Sequence, residues 1–163
     1  LFIVLEDIIA VGDLVKIGDH QGNVEAISVR TIRLRDENGA LHIMPFSEVS
    51  KITNMTRDFS YAFMDVGVAY DSDLEHVMEV IRAVSRDLLK DPTYGSLILE
   101  PVEVLGVEHF GDYSITIRSR QRTKPGMQRE VRRMFLLRLK QRFDKEAIVI
   151  PFPTINHLRP RVE

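Results

Sequence analysis

The side chains with most chemistry to offer are the five histidines, His20, His42, His76, His109 and His157, and the triplet Asp71-Ser72-Asp73. No two histidines stand at the i, i+4 interval that lets one helix face hold a transition metal. The triplet supplies two carboxylates, short of the six or more oxygens that a hard divalent ion takes. Capping of a following helix explains both aspartates more simply. No serine sits in a nucleophile elbow and no glycine loop is built to cradle phosphate. The chain contains no cysteine, which removes disulfides, thiolate metal sites and thiol nucleophiles together. The residues thus imply no catalytic group, no cofactor and no metal.

The densest charge is the basic run Arg129, Arg132, Arg133, Arg138, Lys140 and Arg142. A helix so decorated can touch phosphates or anionic lipid heads. Across the chain, 22 basic residues face 24 acidic ones, for a net charge of -2 and a pI near 6.2. Without general attraction to polyanions, and without an aromatic pair on a sheet to stack bases, the run reads as a solvated helix face, and nucleic acid is not an expected partner.

These groups must be positioned by elements, and the 163 residues, 44% hydrophobic and 28% charged, suit one ordinary globular domain or two small ones. From Gly12 to Asn54 short segments alternate, with Val15 and Ile17, Val24 and Ala26, Ile32 and Leu34, and Leu41 and Ile43 expected on one side. Gly18, Gly22 and Asp36-Glu37-Asn38-Gly39 are their turns. Such a unit of about 50 residues buries little core and leans on a neighbour. Thr53-Asn54-Met55-Thr56-Arg57 has no clear period and reads as a connector.

Beyond it, long strands alternate with long helices. The expected order is a strand over Tyr61 to Ala69, a helix over about Asp73 to Leu89, strands over Val102 to Glu108 and Ser114 to Arg118, a helix over about Pro125 to Phe143, and a short strand over Ala147 to Ile150. That is βαββαβ, the ferredoxin-like arrangement. Ser72 is expected to cap the first helix in a box with Glu75, and Leu74, Val77, Met78, Ile81, Val84 and Leu88 to form its apolar stripe. Met127, Val131, Phe135, Leu139 and Phe143 step along the second helix. Gly67 marks either a close backbone approach or a bulge.

Val11-Gly12-Asp13-Leu14-Val15, the turn from Gly18 to Val24, Arg30-Thr31-Ile32-Arg33-Leu34-Arg35-Asp36, Gly67-Val68-Ala69-Tyr70-Asp71-Ser72-Asp73-Leu74 and Pro151-Phe152-Pro153, in that order and spacing, resemble the cytoplasmic part of the small-conductance mechanosensitive channel family. The resemblance implies an α+β fold, a small Sm-like β-barrel domain followed by the ferredoxin-like α/β sandwich. It places the end of a pore-lining transmembrane helix and its run-in at 1–10, with Leu1, Phe2 and Leu5 as the helix end. The β domain and linker follow at 11–57, the α/β domain at 58–155 and a tail at 156–163. It further implies a homoheptamer in the inner membrane with this region on the cytoplasmic side, a vestibule passing ions and small osmolytes, contact with the lipid bilayer through other helices, and no enzyme activity. Asn54 and Arg57 match the interdomain linker. Arg33, Arg35, Asp65 and Asp71 are chosen as vestibule charges because they fall on polar faces near the domain junction. Met44-Pro45-Phe46-Ser47 replaces the isoleucine-proline-asparagine-glycine turn of many members, so Phe46 is expected to pack where others are polar. Pro160 interrupts the tail where a closing barrel strand would run. The alternative reading is a soluble RNA- or ligand-binding module, since a small barrel joined to a ferredoxin-like domain also suits that role.

Overall fold

The computed structural model describes residues 8–153. Leu1, Phe2 and Leu5, expected at the end of a pore helix, and the tail with Pro160 lie outside the described residues. The chain divides into two compact units, one running to Ser60 with Thr123–Met127 added, the other comprising Tyr61–Arg122 and the chain from Gln128 onward.

The first unit is a five-stranded antiparallel sheet of β1 (Leu14–Ile17), β2 (His20–Ile27), β3 (Thr31–Arg35), β4 (Leu41–Pro45) and β5 (Ile52–Asn54), in the order β4-β3-β2-β1-β5. Val15, Ile17, Val24, Ile32 and Leu34 close on Ile9 as its core, and Phe46 packs against them as the sequence suggests. The stretch expected to be a connector contains β5, which pairs with β1 through Val15 opposite Asn54. Its single isoleucine is too short a pattern to announce a strand.

Two inward assignments change. The register slips at Glu25, between the pairs Val24 with Leu34 and Ala26 with Arg33, so the phase of β2 reverses and Ile27 packs on the core in place of Ala26. On β4, His42 lies opposite Leu34 and Met44 opposite Ile32. Cross-strand partners share a face, so His42 and Met44 turn inward while Leu41 and Ile43, expected in the core, are exposed on this edge strand. The turn between β3 and β4 forms as expected. Asp36 Oδ1 accepts from Asn38 N and Ala40 N, and Gly39 takes φ +85°.

The second unit places β6 (Ser60–Val68), β8 (Ile115–Thr123) and β7 (Glu103–Phe110) side by side in the order β6-β8-β7, with helices α1 (Leu74–Leu89) and α2 (Gln128–Lys145). Helix α2 buries Val131, Phe135, Leu139 and Phe143, the expected four-residue steps. Helix α1 buries Val77, Val80, Ile81, Val84, Ser85 and Leu88. Its cap is Asp73, not Ser72. Asp73 Oδ1 accepts from Glu75 N and His76 N at 3.1 Å each, while Ser72 N closes a turn onto Ala69 O. With Asp73 as cap, Glu75 stands one residue too early to reach back, so the expected box does not form.

The fourth strand expected over Ala147 to Ile150 does not join the sheet. Ala147 takes φ +54°, and the backbone bond to this edge is Ala69 N to Val149 O at 3.2 Å. For a strand laid antiparallel on β6 in that register, residues 151 and 153 would next have to donate to the edge. Both are proline.

Strand β8 runs five residues beyond its expected end. Its burial alternates throughout, with Ile115, Ile117, Ser119, Gln121 and Thr123 inward. Past Ile117 the inward residues are polar, which hides the alternation from any hydrophobic reading. They are satisfied in place: Ser85 Oγ donates to Gln121 Oε1 at 3.0 Å and accepts from Val102 N at 2.9 Å, and Gln121 Nε2 donates to Glu100 O. This small network ties α1, β8 and the segment leading into β7 together. At Gly67 an added Cβ would lie 3.2 Å from Ser114 Oγ, so the glycine permits the close approach of the residue before β8. Replacing Gln121 by leucine keeps the volume but strands the Ser85 hydroxyl proton and the Glu100 carbonyl. We expect a loss of about 2–4 kcal/mol, read as a lower urea midpoint at unchanged m-value, and a change under about 0.5 kcal/mol would contradict the network's role.

Candidate functional site

The helices cover one side of the β6-β8-β7 sheet, and the opposite side of β8 presents Arg118, Arg120 and Arg122 at two-residue intervals. Each meets a carboxylate from a neighbouring segment. Arg118 Nε and Nη2 grip Asp65 of β6 at 2.8 and 2.7 Å, while its Nη1 reaches Glu108 of β7 at 2.5 Å. Arg120 Nε donates to Glu103 at 2.6 Å and its guanidinium lies 4.6 Å from the Tyr61 ring centroid. Arg122 Nη1 donates to Glu100 at 2.6 Å. The face is therefore a ladder of three arginines and four carboxylates spanning all three strands. Of these seven residues the sequence reading singled out Asp65 alone. The arginines at 118, 120 and 122 were the available signal, a charged period of two.

The paired guanidinium of Arg118 holds the Asp65 carboxyl below its ordinary range, and Asp65 in turn raises the pKa of Arg118. Every guanidinium of the ladder has an acid beside it. The arrangement can organise ions by its field or stiffen the sheet, and it holds no nucleophile paired with a base.

The other expected site residues fall elsewhere. In the first unit Arg35 makes a two-pronged contact with Glu25, Nε and Nη2 at 2.8 and 2.9 Å, and its Nη1 donates to Gly39 O. Arg33 is exposed on the same strand, and its charge helps Arg35 lower the pKa of Glu25. Asn54 is a tie rather than a free polar group. Its Nδ2 donates to Asp13 Oδ2 at 2.8 Å and to Ile8 O at 3.2 Å, and its Oδ1 accepts from Thr56 N at 3.0 Å. Thr56 Oγ1 accepts from Leu14 N, and Asp13 Oδ2 also takes Ala10 N, so the incoming chain, β1 and the end of β5 are clasped together. Arg57 lies 3.8 Å from Asp58, which takes φ +65°. In the second unit Asp71 is exposed in the turn before α1.

On the basic helix, Arg138 pairs with Asp91, Lys140 with Asp144 and Arg142 with Glu146. That pairing agrees with a solvated face. Among the described residues no group of three or more histidines and carboxylates could hold a metal ion, and no helix is long and apolar enough to cross a membrane.

An antiparallel five-stranded unit followed by a three-stranded sheet with two helices, carrying paired charges and, among the described residues, no reactive constellation, defines a two-part α+β scaffold. Comparison with known proteins names its kind. The profile described as the mechanosensitive ion channel beta-domain matches residues 1–57, and that described as the C-terminal part of the mechanosensitive ion channel MscS matches residues 63–150. The second match alone covers more than half of the chain, which belongs to the MscS family of mechanosensitive ion channels, a family of channels rather than enzymes. A small-conductance mechanosensitive channel of Caldanaerobacter subterraneus is 30% identical over 152 residues, 93% of this chain and 53% of the relative. The moderate conductance mechanosensitive channel YbiO of Escherichia coli is 27% identical over 158 residues, 97% of this chain and 21% of that protein. The closed-state crystal structure of Helicobacter pylori MscS matches with a TM-score of 0.78 at 25% identity, over 99% of this chain and 63% of that one. Arabidopsis thaliana MSL1, at 15% identity and a TM-score of 0.64, shares the fold. The chain thus spans about half the length of the first of these relatives.

Two outcomes test this geometry. The Asp65 carboxyl, followed by carbon NMR, is expected to titrate below the ordinary aspartate value of about 3.9 and to return to it in Arg118→Gln. Because the folded value is the depressed one, the stabilisation from Asp65 is complete above about pH 4 to 5 and is lost as pH falls through the lowered folded value. The Asp65→Asn variant should therefore match the wild type only in strong acid. Asn54→Ala leaves Asp13, Ile8 O and Thr56 N without their partner and should lower stability by about 1–3 kcal/mol in urea melts. A neutral result would remove the clasp from the account.

Proposed function

We propose that this chain is the cytoplasmic vestibule portion of a tension-gated channel of the inner membrane, opening under hypoosmotic shock to release ions and small solutes. The observation that carries the reading is the order of the matches: the β-domain profile at 1–57 and the MscS C-terminal profile at 63–150 lie end to end. In this reading 1–10 finish a pore-lining helix at Leu1, Phe2 and Leu5, 11–57 form the β domain and linker, 58–155 the vestibule wall and 156–163 a tail. The assembly is a homoheptamer whose pore helices lie in the bilayer, and the scaffold holds those helices in register and excludes large solutes. The clasp at Asn54 supports a role for that residue in fixing the end of the β domain.

The vestibule charges divide by their pairing. Arg35 and Asp65 are paired with Glu25 and Arg118, whereas among the described residues Arg33 and Asp71 enter no ion pair. Ion preference is then set more by Arg33 and Asp71 than by the ladder, because the opposite charges of a close pair largely cancel at a distance. The test is patch recording of the full-length protein in liposomes under suction. Tension-evoked currents are expected, and Arg33→Gln and Asp71→Asn, made separately, should each shift the reversal potential in asymmetric salt, in opposite senses, more than Asp65→Asn does. Absence of currents under any suction the patch survives would sink the channel reading, and an unchanged reversal potential in the charge variants would sink the charge assignment.

A further inference from the structure

Four exposed apolar side chains of the first unit, Ile8, Val11, Val29 and Met55, gather at one end of its sheet, apart from Leu41 and Ile43 on the β4 edge. Gly12 N donates to Val24 O, and β2 runs three residues past that bond, so the β2–β3 turn lies at the end where the incoming segment from Ile8 to Asp13 meets the sheet. Met55 N donates to Leu14 O and so lies there too. Val29 is 75% exposed, Val11 64%, Ile8 42% and Met55 41%.

The turn that carries Val29 is rigidly built. Ser28 N donates to Thr31 O at 2.9 Å, Ser28 Oγ accepts from Arg30 N and Thr31 N, and Arg30 O takes Phe46 N at 2.8 Å. Neither Val29 nor Arg30 takes a positive φ, so the turn accepts most residue types, and the exposed valine is an apolar tip that the turn itself does not require. Arg30 beside it has no acidic partner among the described residues, whereas the Asp13 carboxylate at this end is taken up by Ala10 N and Asn54.

We propose that this end of the first unit rests on an anionic phospholipid surface, with Val29 and Val11 among the headgroups and Arg30 against lipid phosphate. The inference rests on the channel reading, in which Leu1 to Leu5 end a membrane-spanning helix. Seven residues lie before Ile8. They reach about 10 Å if helical and at most about 24 Å if extended, against a headgroup layer of about 5–8 Å. The turn is therefore within reach of the bilayer surface.

The chain has no cysteine of its own, so Val29→Cys gives a single labelling site in this region for an environment-sensitive fluorophore. The full-length protein, with any upstream cysteine replaced, is reconstituted in phosphatidylcholine vesicles with and without phosphatidylglycerol. Lipids bearing a headgroup nitroxide should roughly halve the emission at position 29. They should leave a label at Ile43→Cys, exposed on the β4 edge, unquenched. Arg30→Glu should weaken quenching at position 29 more in phosphatidylglycerol vesicles than in phosphatidylcholine alone. A blue-shifted but unquenched label would mean that protein covers the turn, and emission as in water would mean that nothing does; either overturns the proposal. Suction-evoked currents recorded on the same vesicles keep this separate from the channel reading, which fails only if the currents are absent.

Discussion

Strand β8 has to satisfy two environments at once, and most of the second unit follows from how it does so. It is the middle of three strands, so both its edges are committed to neighbours and its two faces decide what can pack on each side. Ile115 and Ile117 on the helix side are ordinary core. Ser119, Gln121 and Thr123 then carry polar atoms into the interior, where each must find a partner. Gln121 does so by reaching both the α1 residue Ser85 and the backbone of Glu100, which fixes the segment entering β7 relative to a helix on the other side of the chain's path. An apolar residue there would pack but would not specify that segment's position. On the opposite face the same strand carries arginines, and their carboxylate partners come from β6, from β7 and from the segment before β7. Each cross-strand pair is weak when exposed, but together they select one register of three strands whose apolar content alone would tolerate others.

That division explains what the sequence made legible. The helices were readable because Val77, Ile81, Val84 and Leu88, and Val131, Phe135, Leu139 and Phe143, place apolar groups at helical spacing. The early part of β8 was readable for the same reason and its continuation was not, since the inward positions there are serine, glutamine and threonine. Strand β4 misled in a different way. Leu41 and Ile43 form a proper apolar alternation, yet the pairing with β3 puts His42 and Met44 on the inner face, because register and not hydropathy chooses the face of a strand. The bulge at Glu25 is likewise a property of two strands together. The cap moved from Ser72 to Asp73 because two adjacent residues were competent, and the turn from Ala69 to Ser72 had already engaged the backbone of the serine. Of the candidate site, Asp65 reads as a polar-face charge, while its partner Arg118 lies 53 residues away. No local pattern joins them.

The charges on the two units show one habit. Arg35 with Glu25 and Asp65 with Arg118 are both two-pronged contacts, with the planar guanidinium matched to both carboxylate oxygens. Such pairs orient strands and cancel their own distant field. Among the described residues Arg33 and Asp71 enter no ion pair, so substitution at either should affect the fold little.

The same economy applies at the sheet edges. An exposed edge strand is a template for another chain, and an unprotected edge invites unplanned strand pairing. Strand β7 slips register twice along β8, with Gly106 at φ +111°, which bends its outer edge out of a regular ladder. The open side of β6 is approached by the chain after α2, whose Pro151 and Pro153 occupy the positions that would have to donate in an antiparallel register set by Val149. In the first unit β5 has three residues and β4 ends at Pro45. Proline, bulge and brevity each remove donors or regularity from an edge without touching a core residue. These devices sit at the edges, so they protect the sheets without drawing on the inner packing of either unit.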